Sequence, residues 1–325
     1  MILPRRTCEE LASPAAPGGR HPQMVKIALS LIGNRLSPEA VFVELRGKYA
    51  ADVSDIEIRR IVAWAQSKNP KQTSNGSGHR LGLPIPAPVT AASATAAAER
   101  FLTGFRCDEA DLFYASHYTL EDWRQAALLI AATLYSKEDR INIVTDFLQD
   151  GSKARPVGAG RTMFRDEWLR HFRNCGVPQS DAGAWFRPNP VASSGRGNGG
   201  AITDDDITGH RFLLLESDIL SLELQLSVLA VLPLPIVAIT SSGGRSFHGL
   251  VRVDAPNATT YRELAARIFK RLAPLGFDAA NKNPSRMSRL PGARRIVGAE
   301  GDGTQRLLYL NPDATGAAIF RRERT

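Results

Sequence analysis

Two pairs of polar residues, each beside an apolar run, are the side chains in this sequence best suited to chemistry. Glu216 and Asp218 follow the apolar run 212–215, and on a β-strand residues two apart point to one face. Ser246 and His248 have the same spacing and come after Ser-Ser-Gly-Gly-Arg, at the start of a second apolar run. Two acids, a hydroxyl and an imidazole beside a glycine turn predict a site for a metal-bound triphosphate.

The two carboxylates suit Mg²⁺ or Mn²⁺, because hard cations prefer oxygen ligands. Without a cation, two neighbouring carboxylates repel and one pKa rises, so metal binding is expected to weaken at acid pH. The alternative is a solvated strand end that binds nothing. Residues 213–215 are all leucine, which is typical of a strand buried on both faces, and this favours acids placed where the strand leaves the core.

A third segment, residues 276–295, is basic and contains two prolines, which predict a loop or extended chain. Between residues 279 and 299 there are basic residues and no acid. Arg286 and Arg289 are three apart, a spacing that suits two guanidinium groups binding phosphate oxygens. A solvated basic loop is the alternative interpretation.

The three segments in this order resemble the archaeo-eukaryotic primase superfamily. The shared pattern is E-x-D, then S-G-G-x-S-x-H, then D-x-x-x-K-N-P-S-R-x-x-R-L-P-G. It is similar in particular to primase-polymerase-like proteins of phages, plasmids and other mobile genetic elements, and the resemblance covers the chain from about residue 95 onward. It implies that Glu216, Asp218 and a third acid are catalytic metal ligands. Asp278 matches the third acid best, and Asp254 is the competitor.

The resemblance also implies the residues that bind the nucleotide. Ser246 and His248 would contact the triphosphate, with His248 part of the catalytic set. Lys282, Arg286 and Arg289 would neutralise the triphosphate as pyrophosphate leaves. Glu216 replaces the more common first aspartate, and its extra methylene moves the carboxylate outward by about 1.5 Å.

The implied function is that of a DNA primase and polymerase. Such a nucleotidyltransferase starts or extends a primer on single-stranded DNA, using NTPs or dNTPs and Mg²⁺ or Mn²⁺ at a two-metal site. Two alternatives remain open: a DNA-binding replication initiator or accessory protein with little or no catalysis, and a metal-dependent nuclease. The sequence has no P-loop motif, so a replicative helicase is expected to be a separate partner.

Composition limits the partners and the compartment. A formal charge of +8 and a pI near 9.7 favour a polyanionic partner, while 7 % aromatic residues indicate no long base-stacking groove. Three cysteines without a C-x-x-C pair, Cys8, Cys107 and Cys175, predict neither a cysteine zinc site nor disulfides, and so a cytoplasmic protein. The most apolar stretch, 220–240, contains Glu223 and two prolines, which predicts no membrane span and no membrane partner.

The expected fold class is α/β (α+β), with four segments in chain order. These are a flexible N-terminus 1–20, a three-helix module 21–68, a linker 69–91 and a primase-polymerase core 92–325. The core should contain an RRM-like sheet with helices packed on one side. The ending Glu57-Ile-Arg-Arg-Ile61 matches an E-x-R-R-I pattern, by which the three-helix module resembles the small helical domain usually found after a primase core, although here it precedes the core.

Periodicity and capping residues predict the individual elements. Helices are expected at 92–105, 120–134 with Thr119 as cap, 162–175, 220–229 and 261–272, and strands at 140–145 and 236–240. Gly301-Asp-Gly303 predicts a hairpin turn, and the acidic run 204–206 a solvated turn.

Overall fold

The computed structural model describes residues 20–33, 36–49, 53–68, 89–118, 123–151 and 153–321. The N-terminal tail, most of the linker and the expected cap Thr119 lie outside the described residues. The chain divides into two compact units, Met1–Ile85 and Pro86–Thr325. The finer division into tail, module, linker and core stays a prediction.

The first unit contains three helices: α1 (Arg20–Gly33), α2 (Pro38–Tyr49) and α3 (Asp55–Lys68). Serine side chains cap α2 and α3, because the Ser37 hydroxyl accepts the Ala40 N–H and the Ser54 hydroxyl accepts the Glu57 N–H. One apolar face of each helix is buried in a shared core, whose largest fully buried side chains are Met24, Ile27, Leu31, Ile32, Leu45 and Ile58. These three helices lie where the sequence predicts a three-helix module.

The second unit mixes helices and antiparallel strands, which confirms the α/β (α+β) fold class. Its helices are α4 (Ala91–Leu102), α5 (Glu109–Ala115), α6 (Ala126–Leu134), α7 (Arg165–Cys175), α8 (Leu222–Val231) and α9 (Ala258–Leu272). Its strands are β1 (Arg140–Val144), β2 (Phe147–Asp150), β3 (Lys153–Pro156), β4 (Arg161–Phe164), β5 (Trp185–Phe186), β6 (His210–Leu215), β7 (Ile236–Ser241), β8 (Phe247–Ala255), β9 (Ser288–Arg289) and β10 (Leu307–Leu310). No helix in the described ranges is both long and apolar enough to cross a bilayer.

The central sheet has the strand order β10-β7-β8-β6 and is covered on both faces. On β6, Leu213 and Leu215 point into a core built with α4, α8 and α9. Phe212 and Leu214 point the opposite way, into a second core that includes α6, α7 and β1. The prediction of a strand buried on both faces is therefore confirmed, and the prediction of helices on one side of the sheet is wrong.

The remaining strands form two further sheets. One has the order β4-β1-β5-β9 and carries residues from four distant parts of the chain. The other is the two-stranded hairpin β2–β3, in which Leu148 lies opposite Arg155 and Asp150 opposite Lys153.

Three local predictions differ from the structure. Residues 162–164 belong to β4 rather than to a helix, because Thr162 pairs with β1 and the Glu167 carboxylate accepts the Phe164 N–H at the point where α7 begins. The turn at Gly301-Asp-Gly303 joins only an isolated bridge, Arg294 to Thr304, since β10 pairs with β7 instead. Asp206 is buried, not solvated, and its carboxylate accepts hydrogen bonds from Thr203 and from the Arg196 N–H.

Candidate active site

The antiparallel pairing of β6 with β8 brings the two polar motifs together. Leu215 lies opposite Gly249, so Glu216, just after β6, is beside the start of β8. The Ser246 hydroxyl donates to Glu216 Oε1 at 3.0 Å, and His248 Nε2 lies 3.1 Å from the same oxygen. Glu216, Ser246 and His248 therefore form one hydrogen-bonded cluster.

The surroundings of His248 define which of its ring nitrogens carries the proton. The Arg289 backbone N–H donates to His248 Nδ1 at 3.2 Å, and the Ser288 hydroxyl lies 3.0 Å from the same nitrogen. Because Nδ1 is an acceptor, the proton of the neutral ring is on Nε2, which donates to Glu216. In this structure His248 and Ser246 thus hold the Glu216 carboxylate, and their contact with a triphosphate stays a prediction.

The two carboxylates differ in how readily they ionise. Burial opposes ionisation of Glu216, but His248, Ser246 and Arg286 outweigh it and lower the pKa of Glu216 to about 2. Burial raises the pKa of Asp218, and the negative charges of Glu216 and Asp278 raise it further. A bound dication would oppose this rise, so the chemistry of the pair fits Mg²⁺ or Mn²⁺.

The structure separates the two candidates for the third acid. The backbone N–H of Asp278 donates to the Glu216 carbonyl at 2.9 Å, which places Asp278 next to the carboxylate pair. Asp254 lies near the other end of β8, six residues and about 20 Å from His248, and forms an ion pair with Arg252. The geometry therefore favours Asp278 over Asp254.

The Asp278 carboxylate does not join the other two acids. It accepts the Ala280 N–H at 2.8 Å and so caps the short helical turn Ala279–Lys282. Within the described ranges, no group of three or more His, Cys, Asp or Glu side chains is arranged to hold a metal ion. Glu216 and Asp218 are thus the two candidate ligands that line one cleft.

This cleft has a volume of about 1050 Å³ and a basic lining. Seven basic and three acidic side chains line it among the described residues. The basic ones are Lys153, Arg155, Arg187, Arg245, Arg286, Arg289 and Arg295, and the acidic ones are Glu216, Asp218 and Glu300. This excess of positive charge favours an anionic ligand.

Three of the lining arginines are buried, and two of them, Arg289 and Arg187, hold neighbouring segments of the cleft wall together. Arg289 donates to the Ala182 carbonyl at 2.6 Å and stacks 4.1 Å from the Trp185 ring, and burial and the neighbouring Arg295 lower its pKa to about 9. Arg187 donates to the Ser285 and Ile202 carbonyls, and burial lowers its pKa to about 10. Arg289, predicted to bind phosphate, thus also has a structural task.

The Asn283-Pro-Ser-Arg286 segment is fixed so that Arg286 lines the cleft. Asn189 donates to the Pro284 carbonyl, and Asp204 accepts the Ser285 hydroxyl at 2.6 Å. Arg286 is exposed, and its positive charge contributes to the low pKa of Glu216. Lys282, the third predicted phosphate ligand, is exposed and is not among the residues that line the cleft.

The glycine turn before Ser246 is closely packed. Gly243 has φ of +67°, and a Cβ there would lie 2.4 Å from the Gly303 carbonyl oxygen. Gln225 of α8 holds the end of the turn, because its amide accepts the Phe247 N–H and donates to the Arg245 carbonyl. A side chain at position 243 would therefore displace the loop that carries Ser246.

Several lining residues were not predicted from the sequence. Lys153 and Arg155 come from the β2–β3 hairpin, Trp185 from β5, Arg187 from the position directly after β5, and Arg245 and Arg295 from loops. Lys153, Arg155, Trp185 and Arg187 lie in no motif, and only the pairing of β1 with β5 and of β5 with β9 brings β5 to the cleft. Arg245 and Arg295 lie within the second and third segments, at positions to which the patterns assign no role. The alternation in Lys153-Ala-Arg155 is a weak signal, since it places two cations on one face of a strand.

Comparisons with known proteins give likenesses to solved structures, while no protein-family model and no curated protein matches. The AEP domain of the cyanophage S-2L primase-polymerase is 22 % identical over 59 % of this chain and 91 % of its own, with a TM-score of 0.36. The catalytic domain of primase RepB′, solved with initiator DNA, is 12 % identical over 59 % and 88 %, with a TM-score of 0.37. Another structure of primase RepB′ is 12 % identical over 61 % of this chain and 59 % of its own, with a TM-score of 0.38.

Proposed function

We propose that this chain is a metal-dependent nucleotidyltransferase that starts or extends a primer on single-stranded DNA. The observation that carries the proposal is the meeting of Glu216 and Asp218 with Ser246, His248 and Arg286 in one basic cleft. A volume of about 1050 Å³ leaves room for a nucleotide and part of a strand, since drug-sized ligands fill pockets of roughly 300–1,000 Å³.

In this proposal the acids and the cations have separate tasks. Glu216 and Asp218 would hold Mg²⁺ or Mn²⁺, and Asp278 would join them after leaving its cap. A bound dication supplies neutralisation of the charge on the attacking and leaving oxygens. Arg286, with Arg289 behind it, would bind the triphosphate, and Ser246 and His248 would keep the Glu216 carboxylate aimed into the cleft. Lys282 would reach the phosphates only from outside the cleft lining.

A primer-synthesis assay tests this proposal. It compares wild type with Asp218→Ala in NTP and dNTP mixtures containing Mg²⁺ or Mn²⁺. Asp254→Ala is the matched control, because it removes an exposed acid at the other end of β8. We expect Asp218→Ala to lower the rate at least about 100-fold and Asp254→Ala to leave it unchanged. Equal rates for all three proteins would reject the assignment of Asp218.

One observation favours a second candidate, a DNA-binding replication initiator or accessory protein with little catalysis. The Asp278 carboxylate is engaged as a helix cap, so the described residues contain no ready three-acid metal site. Under this alternative, wild-type protein shifts a labelled single strand on a gel but incorporates no labelled nucleotide. A nuclease would instead shorten the labelled strand in the same reaction.

A further inference from the structure

The β2–β3 hairpin lies at the cleft but belongs to neither of the four-stranded sheets. Its strands pair only with each other among the described strands, from Phe147 opposite Pro156 to Asp150 opposite Lys153. Both Lys153 and Arg155 are exposed and line the cleft. The hairpin thus adds two cations to a site whose acids, Glu216 and Asp218, directly follow β6.

These two cations are not used by the fold. No described residue forms a hydrogen bond or an ion pair with the side chain of Lys153 or Arg155. In contrast, Arg187, Arg289 and Arg295 in the same cleft are buried and donate to backbone carbonyls. Exposed cations without partners at a cleft contribute little to stability, so their placement points to a ligand.

The base of the hairpin holds it in place. The Val157 N–H donates to the Asp146 carbonyl at 3.0 Å, and the following Gly160 packs against the Ile143 carbonyl with φ of +64°. Lys153 and Arg155 line the same cleft as Glu216 and Asp218. The hairpin cations therefore face the same space as the carboxylate pair.

The spacing of the two cations suits a repeating polyanion. Lys153 and Arg155 are two residues apart on β3, which separates them by about 6.6 Å and places them on one face. This is the order of the distance between neighbouring phosphates along a nucleic-acid strand. A nucleotide triphosphate has nearer cations, because Arg286 and Arg289 come from the segment beside Glu216 and His248.

We propose that Lys153 and Arg155 of the β2–β3 hairpin bind the phosphate backbone of the single strand that crosses the cleft. The inference rests on the proposed function for the identity of the strand as template or primer. It predicts that two of the phosphate contacts made by the full chain come from this hairpin. Each contact to a single strand contributes about 0.7 to the slope of log K against log salt concentration.

The test measures binding of a fluorescent oligothymidylate by anisotropy over a salt series, using the full chain. Lys153→Ala/Arg155→Ala should weaken binding and make the salt slope shallower by about 1.4. The matched control, Arg267→Ala/Lys270→Ala, removes the same charge from α9, where neither residue lines the cleft. It should leave the slope unchanged, as should Lys153→Arg/Arg155→Lys, which keeps both charges.

Two outcomes would overturn the inference. One is an unchanged slope in the Lys153→Ala/Arg155→Ala variant with a raised KM for nucleotide, which would assign the cations to the triphosphate. The other is a salt slope that becomes equally shallow in the α9 control, which would show that binding depends only on the net charge of the protein. Because binding is measured without catalysis, a shallower slope in the hairpin variant alone would support the inference even if wild type made no primer.

Discussion

Two buried asparagine side chains, Asn189 and Asn281, differ in whether their amide groups are hydrogen-bonded. Asn189 is 1 % exposed, and its amide donates to the carbonyls of Phe212 and Pro284 and accepts the N–H groups of Arg211 and Phe212. Asn281 is fully buried, and neither atom of its amide has a hydrogen-bond partner among the described residues. Asn189 thus connects β6 to the segment that carries Arg286, whereas Asn281 is buried without compensation.

We expect Asn189→Leu to lower the free energy of unfolding by about 3 kcal/mol or more, because it removes the Asn189 partner of the Pro284 carbonyl and of the Arg211 and Phe212 N–H groups, while the Phe212 carbonyl keeps the Tyr261 hydroxyl. Asn281→Leu should be neutral or stabilising, since it replaces an unpaired polar group by an apolar one of similar size. Urea unfolding of both variants checks this difference. If Asn281→Leu costs as much as Asn189→Leu, the Asn281 amide must bind internal water.

Cys107 and Cys175 should differ strongly in reactivity. Burial raises the pKa of the Cys107 thiol to about 12, with the charges of Asp111 and Asp108 adding to the effect, while Cys175 is exposed. At about pH 8 only ~10⁻⁴ of Cys107 is thiolate, so iodoacetamide should modify Cys175 more than 100-fold faster. Peptide mass spectrometry over a time course measures both rates, and similar rates would show that the Cys107 region opens readily.

At the scale of residues, the sequence predicts the centre of the site better than its rim. Glu216, Ser246 and His248 could be predicted because each lies at or next to the end of an apolar strand. When two strands pair, the residues at their adjacent ends come close together. Arg187 could not be predicted, because it follows β5, which reaches the cleft through pairing with the distant strands β1 and β9. Lys153 could not be predicted either, because the pairing of its hairpin is local and does not reveal that the hairpin lies at the cleft. The capping role of Asp278 could not be predicted either, because it depends on the folded conformation of the backbone next to it.

At the scale of elements, predicted boundaries fail where a side chain sets them. The aromatic pattern at 164, 168 and 172 fits a helix, but the helix starts only at Arg165, where the Glu167 side chain takes the Phe164 N–H. Helix α9 begins at Ala258, three residues before the expected start at 261, because Asn257 caps it. Periodicity locates the elements, and the capping residues decide their ends.

The connection from β3 to β4 gives a prediction at this scale. Gly160→Ala should lower the free energy of unfolding by about 3 kcal/mol or more, because its Cβ would lie 2.4 Å from the Ile143 carbonyl oxygen at φ of +64°. Gly301→Ala is the matched control, since Gly301 has φ of +61° and no atom within 4 Å of the added carbon. It should cost only about 1–2 kcal/mol.

Urea unfolding followed by circular dichroism measures both glycine variants. Equal costs would mean that the chain around Ile143 moves aside for a methyl group. In that case the base of the β2–β3 hairpin would be less fixed than the close packing of Gly160 indicates.

At the scale of the whole Pro86–Thr325 unit, residues near its end close one of the two cores. Phe320 packs against Phe105 with ring centroids 6.0 Å apart, and its N–H donates to the Ala230 carbonyl of α8. Segments more than 200 residues apart in sequence therefore share one apolar core. Sequence patterns identify such residues as apolar, but they do not identify the partner across the core.

We expect Phe320→Ala to lower the free energy of unfolding by about 1–3 kcal/mol, less than for a fully buried phenylalanine because Phe320 is only partly buried. Tyr114→Ala is the control, as its side chain is 85 % exposed and its loss should change stability by less than about 0.5 kcal/mol. Chemical unfolding of the full chain measures both, and a Phe320→Ala protein as stable as the control would show that the core closes without this ring.

The alternation of β6 between two cores has a consequence for how the sequence can vary. Inserting or deleting one residue between Phe212 and Leu215 would exchange the side chains that face the two cores and also turn Glu216 away from Ser246 and His248. Changes of length in this strand should therefore be absent from functional descendants, even where substitutions accumulate. Length changes are tolerated instead in loops that carry no such alternation. The length of β6 therefore determines which side chains face each core and whether Glu216 faces the site.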